Sequence, residues 1–290
     1  MGEKNFSFKI GDFKCMAVCD GIYTYTKPAP LLFPTAPGEE LDQKLREFGI
    51  DSDRWLEWKS PYTCLFVDTG KYKILVDTGG GKEDQSSRET GQLLDNLRAD
   101  GISPGDIDFV ILTHAHPDHI CGNTDEKGEI AFPRARYVIS KEEWEFWNSF
   151  RAGKELPETF KEGLIRCARQ KLPPIENQLN LVEGEEEIVE GIRTILTPGH
   201  TPGHLVVSFC SKGEELIAVS DLLIHPIHVE KPQWYTAVDY NPEKNITSRI
   251  RILEKAEKEN ALLIGFHFPF PGLGRVKKEE GKWKWEPQAK

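Results

Sequence analysis

The chain has 290 residues, of which 38% are apolar and 29% are charged, and its formal net charge at pH 7 is −10. This length and composition are typical of a globular protein with a large core, and no stretch approaches the ~20 apolar residues that a membrane-spanning helix needs. The acidic balance argues against a general nucleic-acid-binding surface, because such a surface needs a basic stripe.

Two features of the sequence indicate the cytoplasm. Residues 1–9 lack a basic segment followed by an apolar one, so we expect no signal peptide. The six cysteines contain no Cys-x-x-Cys pair and are expected to be reduced thiols. They are Cys15, Cys19, Cys64, Cys121, Cys167 and Cys210.

Hydrophobic periodicity and turn residues predict that short strands alternate with helices along the chain. The predicted strands are residues 6–10, 13–19, 62–67, 72–76, 109–112, 136–139, 192–196, 205–210, 216–219 and 262–264. The predicted helices are residues 41–48, 91–98, 141–150, 157–170 and 242–260.

This order of elements predicts one layered α/β (α+β) domain over residues 1–290, with helices on its outer faces. Asp20–Gly21 is expected to end the second strand, and four prolines make residues 22–60 an irregular segment. Residues 141–175 are interpreted as a helical insertion. The basic cluster near residue 277 is interpreted as a solvated tail.

The strongest chemical signal is the run His114-Ala115-His116-Pro117-Asp118-His119, which places four metal-ligand side chains within six residues. His114 and His116 are two residues apart, so they share a face in an extended segment. Pro117 favours a turn that brings Asp118 and His119 back to the same place. A divalent cation requires neutral imidazoles and a charged carboxylate, so this run predicts a metal site.

Three further ligand candidates follow predicted strands. His200 lies in a loop rich in glycine and proline, and His204 is interpreted as a residue that pins this loop. Asp221 and His267 each come at the end of a short apolar strand. Ligands at strand ends are the expected arrangement for a site on a rigid scaffold.

Taken in order, Asp77, the run from His114 to His119, His200, Asp221 and His267 resemble the five motifs of the metallo-β-lactamase superfamily. The resemblance extends over roughly residues 5–276. It implies an αββα sandwich, in which two sheets pack face to face with helices outside.

The resemblance also implies which residues hold each of two metal ions. One metal ion would be held by His114, His116 and His200, and the other by Asp118, His119 and His267. Asp221 would bridge the two ions, and Asp77 would lie behind the ligands and orient them. Zinc is the default for both ions, because it suits sites of mixed nitrogen and oxygen ligands, and manganese, iron and cobalt stay open.

Two residues indicate which branch of the superfamily the chain resembles. Asp221 stands where the zinc β-lactamases often have a cysteine, and those enzymes usually lack the histidine that His119 supplies. The chain therefore resembles the dinuclear branch that includes glyoxalase II, the N-acyl-homoserine lactonases and the methyl-parathion-hydrolase-like enzymes. Residues 8–13, 19–21, 221–225 and 267–272 are most similar to the last group, and Ile224 stands where one lactonase group has a tyrosine.

By this resemblance the chain is a metal-dependent hydrolase that uses a metal-bridging hydroxide to cleave a lactone, a carboxyl ester or an organophosphate ester. Asp118 would bind a metal ion and also relay a proton as the bond breaks. Two alternatives stay open, a thioester hydrolase of the glyoxalase II kind and an iron-dependent persulfide dioxygenase.

The substrate is expected to be a small molecule with an apolar portion, and neither nucleic acid nor a membrane is expected as a partner. A homodimer is left open, because relatives often dimerise. The candidate pocket residues are Phe33, Trp144, Trp147, Ile224 and His225, with a core or subunit contact as the alternative. The roles of Cys121, favoured as a buried filler, and of His228 also stay open.

Overall fold

The structure is a computed structural model that describes residues 4–82, 89–156 and 158–288. Its first sheet has seven strands, hydrogen-bonded in chain order, with antiparallel pairing as far as the fourth strand and parallel pairing from the fourth to the seventh. These strands are β1 (Asn5–Ile10), β2 (Phe13–Thr26), β3 (Glu57–Asp68), β4 (Lys73–Val76), β5 (Phe109–Ile111), β6 (Arg136–Ser140) and β7 (Leu179–Val182).

The second sheet also has seven strands, again in chain order from one edge to the other. They are β8 (Glu186–Val189), β9 (Ile192–Leu196), β10 (Leu205–Ser211), β11 (Glu214–Ala218), β12 (Leu262–Ile264), β13 (Leu273–Glu279) and β14 (Lys282–Pro287). Strands β11 and β12 are parallel, and the other neighbouring pairs are antiparallel. Strands β9, β11 and β12 therefore run in the same direction.

Nine α-helices lie within the described residues, and none of them is long and apolar enough to cross a membrane. They are α1 (Pro28–Leu32), α2 (Gly38–Glu47), α3 (Leu93–Ala99), α4 (Pro117–Ile120), α5 (Lys141–Asn148), α6 (Arg151–Glu155), α7 (Glu158–Lys171), α8 (Ile227–Glu230) and α9 (Pro242–Lys258). The helix predicted over residues 157–170 is α7, although Pro157 itself lies outside the described residues.

Apolar side chains on both faces of each sheet are buried, which produces three layers of core. On β2, Ala17 points between the sheets, while Met16 and Val18 point outward beneath helices. Successive side chains on a strand point to opposite faces, so a strand that is buried on both faces is a continuous apolar run. Helices α3 and α5 cover the first sheet and α9 covers the second, which confirms the αββα arrangement.

The predicted end of the second strand at Asp20–Gly21 is wrong. Strand β2 continues to Thr26 through a register shift between Cys19 and Gly21. A β-carbon at Gly21 would lie 1.8 Å from the carbonyl oxygen of Glu89, so this glycine marks a close backbone approach. The segment over residues 22–60 is therefore partly regular, with strand at both of its ends.

The basic cluster interpreted as a solvated tail is part of an antiparallel hairpin formed by β13 and β14. Val276 and Trp283 are buried on one face of this hairpin, while Lys277 and Lys278 are exposed. The charged outer face of the hairpin is solvated, but the segment is a regular pair of strands and not a tail. Strands β7 and β8 were also missed, because each has only four residues.

A buried carboxylate fixes the segment that follows β4. Asp20 is inaccessible to solvent and accepts backbone N–H groups from Gly80, Gly91 and Leu93 at 2.9–3.0 Å. A β-carbon at Gly79 would lie 2.4 Å from the Asp20 carboxyl carbon, so the backbone passes directly over this group. Asp20 thus anchors the loop that begins at Asp77.

Replacing Asp20 with alanine should lower the free energy of unfolding by about 3–5 kcal/mol, because three buried N–H groups lose their acceptor. Urea denaturation of the two proteins measures this difference. The control is Asp12→Ala, since Asp12 is exposed and pairs with Lys212 on the surface. This variant should change stability by less than ~0.5 kcal/mol. Equal stabilities of the two variants would contradict the role assigned to Asp20.

Candidate metal centre

The predicted ligands lie beyond the carboxyl ends of strands from both sheets. His114 and His116 follow β5, and Asp118 and His119 lie in α4, the short helix that comes next. His200, Asp221 and His267 follow β9, β11 and β12 in the second sheet, whose ends point to the same edge. The two sheets pack face to face, so these five segments meet at one place.

The seven side chains form two groups, and within each group the ligand atoms lie within 4.8 Å of one another. The first group is His114, His116, His200 and Asp221, and the second is Asp118, His119 and His267. This is the division that the family resemblance implies.

Asp221 lies between the two groups. Its Oδ2 is 3.3 Å from His200 Nε2 and 4.0 Å from His114 Nε2. Its Oδ1 is 3.2 Å from His119 Nε2 and 3.4 Å from His267 Nε2. One oxygen thus faces each group, which is the geometry required of a carboxylate that bridges two cations.

The donor atoms of the site fit divalent cations. The Nδ1–H groups of His119, His200 and His267 are engaged by Asp77, Asp239 and Ser60, so in the neutral rings each Nε2 lone pair faces the site. Among the described residues, the buried Nε2 atom of His114 has no hydrogen-bond partner. Lone pairs and carboxylates that converge in this way bind metal ions.

The electrostatics of the site lead to the same conclusion. Burial and, to a lesser extent, the neighbouring imidazole of His200 together lower the pKa of His116 to about 3, so this ring is neutral. Burial also opposes protonation of His200, but the carboxylates of Asp221 and Asp239 raise its pKa to about 9. These buried carboxylates attract positive charge, which either protons or bound cations can provide.

Asp77 lies behind the second group of ligands. Its Oδ2 accepts the Nδ1–H of His119 at 2.8 Å, and its Oδ1 accepts the backbone N–H of Thr113 at 2.8 Å. Asp77 has φ of +61°, a region that non-glycine residues seldom occupy. Its backbone is thus held in a strained conformation in which the carboxylate reaches both neighbours.

His204 closes the loop that carries His200. Its Nδ1 lies 2.8 Å from Thr197 Oγ1, and its carbonyl oxygen accepts the Thr197 N–H at 2.8 Å. Ser220, just before Asp221, has φ of +46° and lies 2.8 Å, oxygen to oxygen, from Thr113. Ser220 thus has a backbone conformation that glycine adopts without strain.

Asp239 and Ser60 also support ligands, and the sequence analysis missed both. Asp239 Oδ1 lies 2.8 Å from His200 Nδ1, and Asp239 Oδ2 accepts the backbone N–H of Thr236 at 3.0 Å. Ser60 Oγ lies 2.9 Å from His267 Nδ1. Neither residue belongs to a ligand motif, and only the tertiary fold brings them to the site.

A cavity of about 410 Å³ opens directly onto the ligands, a volume within the range of small-molecule sites. Most of the other residues that border it are apolar or aromatic. The bordering residues are Tyr23, Tyr25, Leu31, Leu32, Trp58, Tyr62, Gly80, Thr90, His116, Pro117, Asp118, Cys121, Leu164, His200, Asp221, Ile224, Thr236, Val238 and His267.

Of the predicted pocket residues, Ile224 borders the cavity, while Trp144, Trp147, Phe33 and His225 are absent from its lining. Trp147 is fully buried, and its indole N–H donates to Glu143 at 2.7 Å. Trp144 packs against the same core. The apolar face of α5 thus turns toward the first sheet, so these two rings serve as core.

Phe33 and His225 lie in a buried aromatic cluster behind the cavity wall, with their rings 5.8 Å apart. His225 Nδ1 accepts the backbone N–H of Ile227 at 3.2 Å. His228 Nε2 donates to the carbonyl oxygen of Leu32 at 3.1 Å. Both histidines therefore hold backbone segments, including the one that places Leu32 at the cavity.

The sequence analysis missed an aromatic wall of the cavity, because most of this wall comes from the segment predicted to be irregular. Tyr23 and Tyr25 lie on β2, Trp58 lies opposite Tyr25 on the neighbouring strand β3, and Tyr62 lies further along β3. The Tyr25 and Tyr62 hydroxyl oxygens are 2.9 Å apart, and the Tyr62 ring is 5.4 Å from the ring of His267. The alternation Tyr-Thr-Tyr-Thr over residues 23–26 is the period-two signal that indicates this strand.

Cys121 is partly buried and borders the cavity. Its sulfur lies 2.9 Å from the sulfur of Cys167 on α7.

Residues 59–267 match the Metallo-beta-lactamase superfamily, which is most of the chain. The chain belongs to this superfamily. The resemblance drawn from the ligand motifs is thereby confirmed, and the superfamily fold agrees with the two sheets and outer helices described above.

Two relatives are similar to most of the chain. The N-acyl homoserine lactonase AiiA of Bacillus thuringiensis subsp. kurstaki is 25% identical over 226 residues, which are 71% of this chain and 81% of the lactonase. Metallo-beta-lactamase domain-containing protein 1 of Xenopus laevis is 29% identical over 217 residues, 73% of this chain and 75% of that protein.

Two solved structures superpose on nearly the whole chain. AidC, a dizinc quorum-quenching lactonase, is 28% identical with a TM-score of 0.88, over 99% of this chain and 98% of AidC. The hydrolase AbOPH is 26% identical with a TM-score of 0.89, over 100% of this chain and 99% of AbOPH. With the two converging ligand groups, these relatives identify the chain as a dinuclear metal-dependent hydrolase.

The Asp239→Asn variant should bind the cation of the first group about 10–100-fold more weakly. The change keeps the shape of the side chain, but it removes the charge that faces His200 and places an NH₂ or a weaker acceptor against Thr236. Competition with a chromophoric chelator measures the affinity. Glu243→Gln, at an exposed position on α9, is the matched control. Unchanged affinity in Asp239→Asn would contradict the role of this carboxylate.

Proposed function

We propose that the chain hydrolyses ester-type bonds, foremost those of lactones that carry an apolar acyl chain, with carboxyl esters and organophosphate esters as further substrates. The observation that carries this proposal is the position of the ligand cluster, which borders an apolar, aromatic cavity of about 410 Å³. The lactonases AiiA and AidC among the relatives support the choice of lactones.

We assign the metal ligands as the sequence analysis does, with zinc in both sites because histidine-rich sites with carboxylates suit it. Two divalent cations held there would supply an ionised water near neutral pH and polarise the substrate carbonyl. The chain itself supplies orientation, exclusion of water by the apolar cavity, and the movement of protons.

Asp118 is the residue that we assign to proton transfer. It is the least buried of the ligand side chains, with 16% of its side chain exposed, and it borders the cavity. Its Oδ2 lies 3.3 Å from His267 Nε2. A carboxylate that faces both the cations and the substrate can accept a proton from the attacking water and pass it to the leaving oxygen.

The phenols of Tyr25 and Tyr62 are the proposed hydrogen-bond donors to the leaving oxygen. Ile224 is apolar, so the hydroxyl that one lactonase group places there is absent from this side of the cavity. Burial raises the pKa of both Tyr25 and Tyr62, and the nearby charge of Asp118 raises each further. The phenols therefore stay protonated near neutral pH, and one hydroxyl of the pair can donate outward.

The cavity lining favours lactone hydrolysis over the two alternative functions. Among the described residues that border it, none is a lysine or an arginine. Both alternatives, the glyoxalase II-like thioester hydrolase and the persulfide dioxygenase, act on glutathione adducts that carry carboxylates. Such substrates are expected to need cationic partners, whereas an apolar acyl chain matches the walls formed by Leu31, Leu164 and Val238.

The proposed function is tested with protein of measured metal content on a panel of lactones, aryl esters, phosphotriesters and glutathione thioesters. Lactones should be hydrolysed fastest, and activity should rise with acyl length because each buried CH₂ contributes about 0.8 kcal/mol. Removal of metal with a chelator should abolish hydrolysis, and Zn²⁺ or Mn²⁺ should restore it. Full activity in metal-free protein, or a preference for the thioester, would overturn the proposal.

The phenylalanine variants Tyr25→Phe and Tyr62→Phe should lower kcat for alkyl lactones by about 10–100-fold. They should lower kcat much less for 4-nitrophenyl esters, because that leaving group needs little help to depart. Tyr23→Phe is the matched control, since its hydroxyl is outside the pair. Equal losses on both substrate classes, at unchanged metal content, would show that the phenols do not assist the leaving oxygen.

A further inference from the structure

Glu143 is a fully buried carboxylate on α5, and the proposed chemistry does not use it. Its Oε1 accepts the backbone N–H of Ala115 at 3.0 Å and the indole N–H of Trp147 at 2.7 Å. Its Oε2 accepts the Thr201 hydroxyl at 2.7 Å and the Gly203 N–H at 2.9 Å. All four contacts are donations to the carboxylate, which is the arrangement of an ionised group satisfied by the protein.

These donors come from two segments that carry metal-ligand histidines. Ala115 lies between His114 and His116, on the stretch that follows β5 in the first sheet. Thr201 and Gly203 lie in the loop after β9 in the second sheet, next to His200. Glu143 therefore links the two segments that carry all three imidazoles of the first ligand group.

The loop is pressed against the start of α5, so this link is short and rigid. A β-carbon at Gly203 would lie 2.2 Å from Ser140 Oγ and 2.3 Å from the backbone nitrogen of Glu143. Ser140 Oγ accepts that same Glu143 N–H at 3.1 Å and caps the helix. Only a glycine fits at position 203, and the capped helix end fixes where the Glu143 carboxylate begins.

Trp147 completes the arrangement from the opposite side. Its ring packs 5.9 Å from the ring of His116, and its N–H fixes the rotation of the Glu143 carboxylate. The second ligand group has no contact of this kind with Glu143 in the described hydrogen bonds. Its supports are Asp77 and Ser60, which contact His119 and His267.

We infer that Glu143 is a positioning residue that sets the distance between the His114–His116 segment and the His200 loop, and so builds the first cation site selectively. The inference rests on the proposed metal centre, and it adds a residue outside the ligand motifs on which only one of the two sites depends. Ligand supports of this kind typically change metal affinity 10–100-fold.

The test is a comparison of the metal stoichiometry and stepwise affinities of Glu143→Gln with those of the unaltered protein, in the absence of substrate. The glutamine side chain keeps the volume, but its NH₂ group faces backbone or indole N–H donors, which cannot accept from it. We expect the affinity of the first site for its cation to fall at least tenfold, while the affinity of the second site is unchanged. Cobalt substitution shows which site is affected, because the proposed ligands of the two sites differ in their number of imidazoles, so cobalt in each site should give different visible bands.

Glu142→Gln is the matched control. Glu142 is the adjacent residue, it is partly exposed, and it pairs with Arg151 away from the ligands. Trp147→Phe removes one donor and should produce a smaller loss than Glu143→Gln at the same cation.

Three outcomes would overturn the inference: equal weakening of both cations, loss of the second cation alone, or unchanged affinities in a folded Glu143→Gln protein. Folding is checked by urea denaturation of the metal-free proteins, which separates a general loss of stability from a selective loss of one site. If the unaltered protein bound no metal at all, the proposed function would fail first, and that result is distinguishable from failure of this inference.

Discussion

Buried negative charge is the constraint on which the rest of this structure depends. The carboxylates of Asp77, Asp221 and Asp239 are almost inaccessible to water, and Asp118 is only partly exposed. Removing such groups from water costs several kcal/mol each unless positive charge or strong donors replace the water. The imidazoles supply part of the compensating positive charge and hydrogen bonding, and divalent cations bound between them would supply the rest. The oxygens of Asp221 are 3.2–4.0 Å from imidazole nitrogens of both groups, so the negative charge of this one carboxylate acts on both sites.

The supports behind the ligands explain how so many charged and polar groups keep one geometry. Asp77 holds His119, Asp239 holds His200 and Ser60 holds His267, each from a different element of the fold. Each support also fixes the ring nitrogen that points into the site, because the engaged Nδ1 leaves Nε2 free. The ligand positions therefore depend on contacts between the two sheets and their connections rather than on the ligand segments alone.

The cavity combines residues that are distant from one another along the chain. Its floor is the ligand cluster, and much of its wall comes from the tyrosines and tryptophan of β2 and β3. Under the proposed function, the hydroxyls of Tyr25 and Tyr62 would donate to the leaving oxygen, since Ile224 is apolar. These two hydroxyls lie on β2 and β3, strands that are distant in sequence from the loop that carries Ile224.

The amino-acid sequence was enough to predict the ligand set and to identify the superfamily, because ligand types at fixed spacing, such as the run from His114 to His119, carry chemistry that few other patterns share. It also predicted most strands and helices, since both sheets are buried and their apolar runs are strong signals. The tertiary structure alone decided the supports and the cavity. Asp239 and Glu143 act through partners far along the chain, and Trp147 turned inward because α5 packs its apolar face on the first sheet. Local patterns record the neighbours of a residue along the chain, whereas these roles depend on neighbours that only packing provides.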